Sequence, residues 1–133
     1  MPYVVDGNNV LGARSAMAGD RRPEVVRQVA ARYPHVKLLL GHSCHGEWDA
    51  AIDLARSFEN LYLELTAVFD DRGILEKFVR EAGSERMLFG TDLPWFDPHQ
   101  AVGALLSAEI DDEDRHNICH RNAERLLGRW RLP

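Results

Sequence analysis

A chain of 133 residues with 45% hydrophobic side chains is large enough for one domain with its own core, and small for a complete (β/α)₈ barrel, which typically takes about 250 residues. Its net charge of −5 argues against a nonspecific grip on nucleic acid, which needs an excess of Lys and Arg, and no apolar run approaches the roughly 18 residues of a membrane span. With no basic-then-apolar leader, and with two cysteines, Cys44 and Cys119, that make no disulfide framework, the expected setting is cytoplasmic and reduced, without membrane or nucleic-acid partners.

In chain order, Tyr3, Val4 and Val5 run into Asp6 and Gly7 as a short strand ending in a turn. Residues 12–22 are rich in Gly, Ala, Ser and Arg without periodicity, which predicts a loop; residues 1–22 are thus an atypical opening to a single domain over 1–133. Pro23 suits a first helical turn, and Val25, Val26, Val29, Ala30 and Tyr33 recur at helical spacing until Pro34. Val36 to Gly41 reads as an apolar strand that delivers His42. After a polar loop, Glu47 to Ser57 predicts a helix with Trp48, Ala51, Ile52 and Ala55 on one face. Asn60 to Thr66 is a third strand, with Tyr62, Glu64 and Thr66 on one face and Leu61, Leu63 and Leu65 on the other. Asp70 or Asp71 is placed to cap a helix to about Ala82, with Ile74, Leu75, Phe78 and Val79 inward and Gly83 as the stop. The run Met87 to Gly90 is a fourth strand, ending in Thr91-Asp92 and a loop of Leu93, Pro94, Trp95 and Phe96. Asp97 caps a helix over His99 to Ser107, Asp111 or Asp112 opens another, and Asn122 to Trp130 is helical. The basic cluster Arg121, Arg125, Arg129 and Arg131 fits a solvated helix face.

Strands alternating with helices predict an α/β fold with a parallel sheet of four βα units in chain order. Such units form half of a barrel or a small open sheet with helices on both faces. Either way the C-terminal ends of the strands lie on one edge, so Asp6, His42, Thr66 and Asp92 are expected to converge there.

Chemistry follows from these positions. Asp92, at a strand end, suits a metal ligand or a proton acceptor for metal-bound water, and His42 suits a ligand or general acid–base group at neutral pH. Glu64 sits inside a strand, where a carboxylate has to be paired or near a pocket; with His45 and Trp95 it is a candidate substrate contact. Cys44, His45, His116, Cys119 and His120 invite a zinc reading, His116 and His120 standing at i, i+4, but their spacing matches no closed zinc module. Cys44 is expected as a small buried hydrophobe and the two late histidines at the surface.

From about Pro23 to Gly128 the sequence resembles the C-terminal half of an amidohydrolase-related, metal-dependent hydrolase, of the family that includes barrel-fold decarboxylases. The motifs that carry this are Leu38-Leu39-Leu40-Gly41-His42, Asn60-Leu61-Tyr62-Leu63-Glu64, Arg86-Met87-Leu88-Phe89-Gly90-Thr91-Asp92-Leu93-Pro94, and Asn117-Ile118 with Asn122-Ala123-Glu124-Arg125-Leu126-Leu127-Gly128. The resemblance implies a parallel (βα)₄ half of a TIM-barrel-like fold with C-terminal helices. Asp92 matches the family's last-strand metal ligand, and His42 its sixth-strand histidine. The family's His-x-His pair after the first strand has no counterpart, since the first histidine here is His35. Met1 to Gly12 instead resembles the opening of a PIN-like (NYN-type) ribonuclease domain, whose first strand ends in a metal-binding Asp, here Asp6.

The resemblance implies an enzyme: a hydrolase or decarboxylase using a divalent metal, zinc first, on a small carboxylate, lactone or amide. Asp92, His42 and Asp6 are its expected metal ligands, with His42 and Asp92 catalytic. The rival is a PIN-like ribonuclease in which Asp6 and Asp92 gather Mn²⁺ or Mg²⁺, and the non-enzyme alternative is an association domain. A homodimer is expected, because an open half-barrel leaves edges and one face uncovered.

Overall fold

The computed structural model describes residues 5–6, 23–69 and 71–128. The loop expected over 12–22, the cap Asp70, and Arg129 to Arg131 with the end of the last helix lie outside the described residues. The elements run β1 (Val5–Asp6), α1 (Pro23–Arg32), β2 (Leu38–Leu40), α2 (Trp48–Ser57), β3 (Leu61–Glu64), α3 (Ile74–Ala82), β4 (Met87–Leu88), α4 (Pro98–Ser107), α5 (Asp112–His116) and α6 (Asn122–Leu127). A π-helical segment, Asn117–Arg121, joins α5 to α6.

The four strands pair in parallel in the order β1-β2-β3-β4, as the alternation of strand and helix predicts. Register sets Asp6 beside Leu39, Leu39 beside Tyr62, and Glu64 beside Leu88. Period-2 alternation then sends Leu38, Leu40, Leu61, Leu63, Leu65 and Met87 into a core with Val26 and Ala30 of α1, Ala51, Leu54 and Ala55 of α2, Ile74 and Phe78 of α3, and Ile118. Each large side chain that is fully buried, as Phe78, Leu61 and Leu63 are, stabilises the fold by about 1.5–3 kcal/mol through removal from water. The opposite face of the sheet carries Leu39, Tyr62 and Glu64, all half-buried.

Several boundaries differ from the sequence expectation for local reasons. Helix α1 stops at Arg32, and Tyr33, expected on the buried face, is 53% exposed because the chain is already leaving the helix toward Pro34. Strand β4 is two residues long because the Phe89 N–H turns away from the sheet to the carbonyl of Ile118, at 3.1 Å. Asp71 does not cap α3: Gly73, at φ 79°, holds the N-cap position with no side-chain cap, and the Asp71 carboxylate accepts from Trp48 Nε1 at 2.5 Å. The other caps follow the expected chemistry. Asp97 accepts from the His99 N–H at 2.9 Å and Asp111 from the Asp114 N–H at 2.8 Å, while Gly83, at φ 85°, ends α3 in a conformation that favours glycine. The His99 N–H, and then the His99 ring, hold the Asp97 carboxyl below its ordinary range.

Among the described residues no helix is long and apolar enough to cross a membrane.

Candidate functional site

Parallel strands place the candidate residues on one edge, and the loops leaving that edge are conformationally unusual. Among the described residues, non-glycine positions with positive φ are His42 (56°), Ser43 (47°) and Cys44 (57°) after β2, Ala67 (57°) after β3, and Asp92 (54°) after β4. A left-handed conformation costs an L-residue roughly 1–2 kcal/mol, and such strain persists where surrounding bonds over-determine it, most often at functional sites.

Glu64 supplies much of that determination. Its Oε2 accepts from the His42 N–H at 3.1 Å, its Oε1 accepts from the Thr66 N–H at 2.9 Å and from the Thr66 hydroxyl, and its own carbonyl accepts from Ser43 Oγ at 2.7 Å. The left-handed turn Gly41–Cys44 closes through His45 N–H to the His42 carbonyl, at 2.9 Å, and Cys44 packs into the core at 2% exposure. Beside the carboxylate lies Gly90, where an added Cβ would fall 1.6 Å from Glu64 Oε1 and 2.7 Å from Thr66 Oγ1. The Glu64 carboxylate thus occupies the space a side chain at position 90 would need.

Above this layer opens a cleft of about 280 Å³ lined by Leu39, Gly41, His42, Glu64, Thr66, Gly90, Thr91 and Asp92. His42 Nε2 and Asp92 Oδ2 stand 3.8 Å apart at its mouth, both partly open to solvent. That separation is too long for a hydrogen bond. It is a few tenths of an ångström wider than the roughly 3.3–3.4 Å between two donors on one tetrahedral zinc, so a small approach of the two side chains would let them share an ion. Among the described residues no group of three or more His, Cys, Asp or Glu converges as a metal set; His42 and Asp92 stand there as a pair. Asp6 ends β1 beside Leu39, three residues before His42; its side chain lies outside the description.

Of the residues singled out from sequence, the structure brings together His42, Glu64, Thr66 and Asp92. His45 and Trp95 do not line the cleft. The exposed His45 ring, donating from Nδ1, meets the Ala67 carbonyl at 3.1 Å and packs edge-on against Trp48, and Trp95 is 81% exposed in the loop after Asp92. Cys44 is buried, while Cys119, His116 and His120 are exposed. Ser43 and Gly90 were not anticipated. The Ser-after-His step and the Gly-Thr-Asp run were visible in the sequence, but their roles depend on the register that sets Glu64 beside Leu88.

Among solved structures the chain is similar to an uncharacterized TIM-barrel protein from Bordetella bronchiseptica, at 27% identity and TM-score 0.73, over 80% of this chain and 39% of that one. It is similar to a dihydroxybenzoic acid decarboxylase from Polaromonas sp. JS666, solved with bound manganese and the inhibitor 2-nitroresorcinol, at 25% identity and TM-score 0.63 over 77% and 36%. It also shares the fold of a 2,6-dihydroxybenzoate decarboxylase from Rhizobium, at 23% identity and TM-score 0.64 over 77% and 39%. The chain therefore spans about two fifths of the length of these proteins. No protein of curated function matches it. The ribonuclease-like reading of residues 1–12 gains no support from these likenesses, whereas the amidohydrolase resemblance does, and the family model for amidohydrolases matches residues 11–129. The chain belongs to the amidohydrolase family.

Proposed function

We propose that this chain supplies part of the active-site rim of a metal-dependent amidohydrolase-type enzyme acting on a small carboxylate, lactone or amide. The observation that carries the proposal is the His42–Asp92 pair, 3.8 Å apart over a cleft at the C-terminal edge of a parallel sheet, where parallel α/β folds place their chemistry. Dihydroxybenzoate decarboxylases among the similar structures put aromatic carboxylates first among substrates to try.

The donor chemistry suits a divalent metal of the zinc or manganese kind, imidazole and carboxylate being ligands for both. Asp92 and His42 would hold it, with Asp6 as the proposed third ligand. Bound there, such an ion would supply Lewis-acid activation of the substrate. The chain's own groups do the rest. His42 Nε2 faces Asp92 across the cleft; it either ligates the ion or, with the ion on the carboxylates alone, acts as an acid–base group toward the substrate. Its backbone N–H is pinned by Glu64, which fixes where the ring starts. Thr91 borders the cleft with a hydroxyl for a substrate carboxylate, while the hydroxyl of buried Thr66 is already given to Glu64.

Calorimetric titration with Zn²⁺ and Mn²⁺ tests this, using Asp92→Asn because Asn tolerates the left-handed backbone that Asp92 adopts. The expected result is weak binding by the wild-type chain, since a tight zinc site needs more ligands, weakened at least about tenfold in Asp92→Asn and in His42→Asn. Turnover of a dihydroxybenzoate panel with metal added is followed alongside. Metal binding that is unchanged by both substitutions refutes the site.

A further inference from the structure

We propose that His116 and His120 form a second, surface site for one divalent ion of the borderline transition-metal class, Zn²⁺, Cu²⁺ or Ni²⁺. These histidines lie away from the cleft residues, on the helical run Asp112 to Leu127, and the function described above does not use them.

The π-helical segment Asn117–Arg121 follows His116 and includes His120; single-turn π insertions of this kind recur at functional sites. His116 Nδ1 stands 3.2 Å from His120 Nε2, the rings meeting edge to face with centroids 5.4 Å apart. His120 Nδ1 in turn stands 3.1 Å from Glu124 Oε1. A carboxylate only accepts, so Glu124 keeps the His120 proton on Nδ1 and leaves the Nε2 lone pair of the neutral ring facing His116. Without an ion, the His116 Nδ1–H donates to that lone pair; moving this proton to the solvent-exposed Nε2 of the same ring frees a second lone pair beside the first.

Two nitrogens bound to one zinc at about 2.0–2.1 Å and a near-tetrahedral angle are about 3.3–3.4 Å apart. The observed 3.2 Å separation already approximates that bite, so closing on an ion needs the two rings to turn by a few tens of degrees with little change in their spacing. Glu124, on the far nitrogen of His120, completes the carboxylate–histidine–metal arrangement that orients a ligating imidazole and raises its basicity. Nearby cationic groups are occupied: Arg121 pairs with Glu113, Arg115 with Asp112, and Arg125 donates to Asn122. The site therefore offers two nitrogens, leaves its other positions to water, and selects imidazole-preferring ions over Mg²⁺ and Ca²⁺, which favour oxygen.

The test is titration of the whole chain with Zn²⁺, Ni²⁺, Cu²⁺ and Mg²⁺ in an Asp92→Asn background, followed by calorimetry and by the histidine ring signals in NMR. Expected are selective shifts or broadening at His116 and His120 with the first three ions and none with Mg²⁺. His116→Ala and His120→Ala should each weaken binding at these rings at least tenfold, and Glu124→Gln should weaken it by about 10–100-fold, as loss of an orienting partner does. All three positions are exposed, so circular dichroism should show the fold intact in every variant. Rings unmoved by millimolar Zn²⁺, Ni²⁺ and Cu²⁺, or binding unchanged by both alanine substitutions, overturns the proposal.

Discussion

Gly90 shows how far a single position is dictated by a neighbour distant in sequence. A methyl group there would overlap Glu64 Oε1, and that carboxylate receives the N–H groups of His42 and Thr66 and the Thr66 hydroxyl. Gly90→Ala is therefore expected to cost more than the roughly 1–3 kcal/mol of ordinary overpacking, because expelling Glu64 also strands those donors. Glu64→Gln keeps the volume but offers one acceptor oxygen where the carboxylate has two, and is expected to cost a smaller amount, about 1–2 kcal/mol. Urea denaturation of both variants checks the order; a Gly90→Ala midpoint equal to wild type would mean that Glu64 has another comfortable seat. At this scale the sequence was informative about which residues carry charge at strand ends. Alternation along β3 placed Glu64 and Thr66 on the face away from the core, and the apolar runs ended at His42 and just short of Asp92. It was silent on Gly90, whose constraint exists only once β3 and β4 are in register, and on the left-handed turn at His42, Ser43 and Cys44, which none of those residue types announces.

Buried asparagines fasten the elements together, and two of the motifs that carried the family resemblance contain them. Asn60, 5% exposed, donates from Nδ2 to the carbonyls of Ala30, Tyr33 and Val36, tying the end of α1 to the start of β2. Asn122, 1% exposed, donates to the carbonyls of Ser84 and Met87 at 2.8 and 2.6 Å, fastening α6 to β4, while Asn117 donates to Ser84 Oγ at 3.1 Å. Asn122→Leu removes the donor from two carbonyls in a closed site and adds no compensating bond. At about 1–3 kcal/mol per stranded buried group, it is expected to lower stability by several kcal/mol and to loosen β4 first. Hydrogen exchange should show early loss of protection at Leu65, whose N–H bonds the Leu88 carbonyl; uniform loss across the sheet would argue against a local fastening. Helices and caps were legible because periodicity and capping are short-range: Asp97, Asp111 and Gly83 act where expected. The start of α3 was not, because Asp71 is drawn to the indole of Trp48, 23 residues away, which local pattern does not encode.

At the scale of the whole molecule, the open question is what covers the sheet. The described helices pack with one face of it into a common core, while Leu39, Tyr62 and Glu64 on the other face remain half-buried. Among the described residues, in the order β1-β2-β3-β4, β1 pairs only with β2 and β4 only with β3, so within them both outer strands have a side open to a further strand. Beyond β4 the loop carries Leu93, Trp95 and Phe96 at 67%, 81% and 44% exposure. An exposed apolar group of this kind beside an unpaired edge favours association. A closed TIM barrel has eight parallel strands, and two copies related by a twofold axis, the commonest symmetry of small assemblies, would bring four strands each. We therefore propose that the chain forms a homodimer at micromolar concentration through this face and these edges. Light scattering should give twice the 15.1 kDa chain mass, and dilution should release a species that binds a hydrophobic dye. A mass of one chain across the micromolar range, with no dye binding, would show that the chain covers this face by itself, and the two-copy barrel would have to be abandoned.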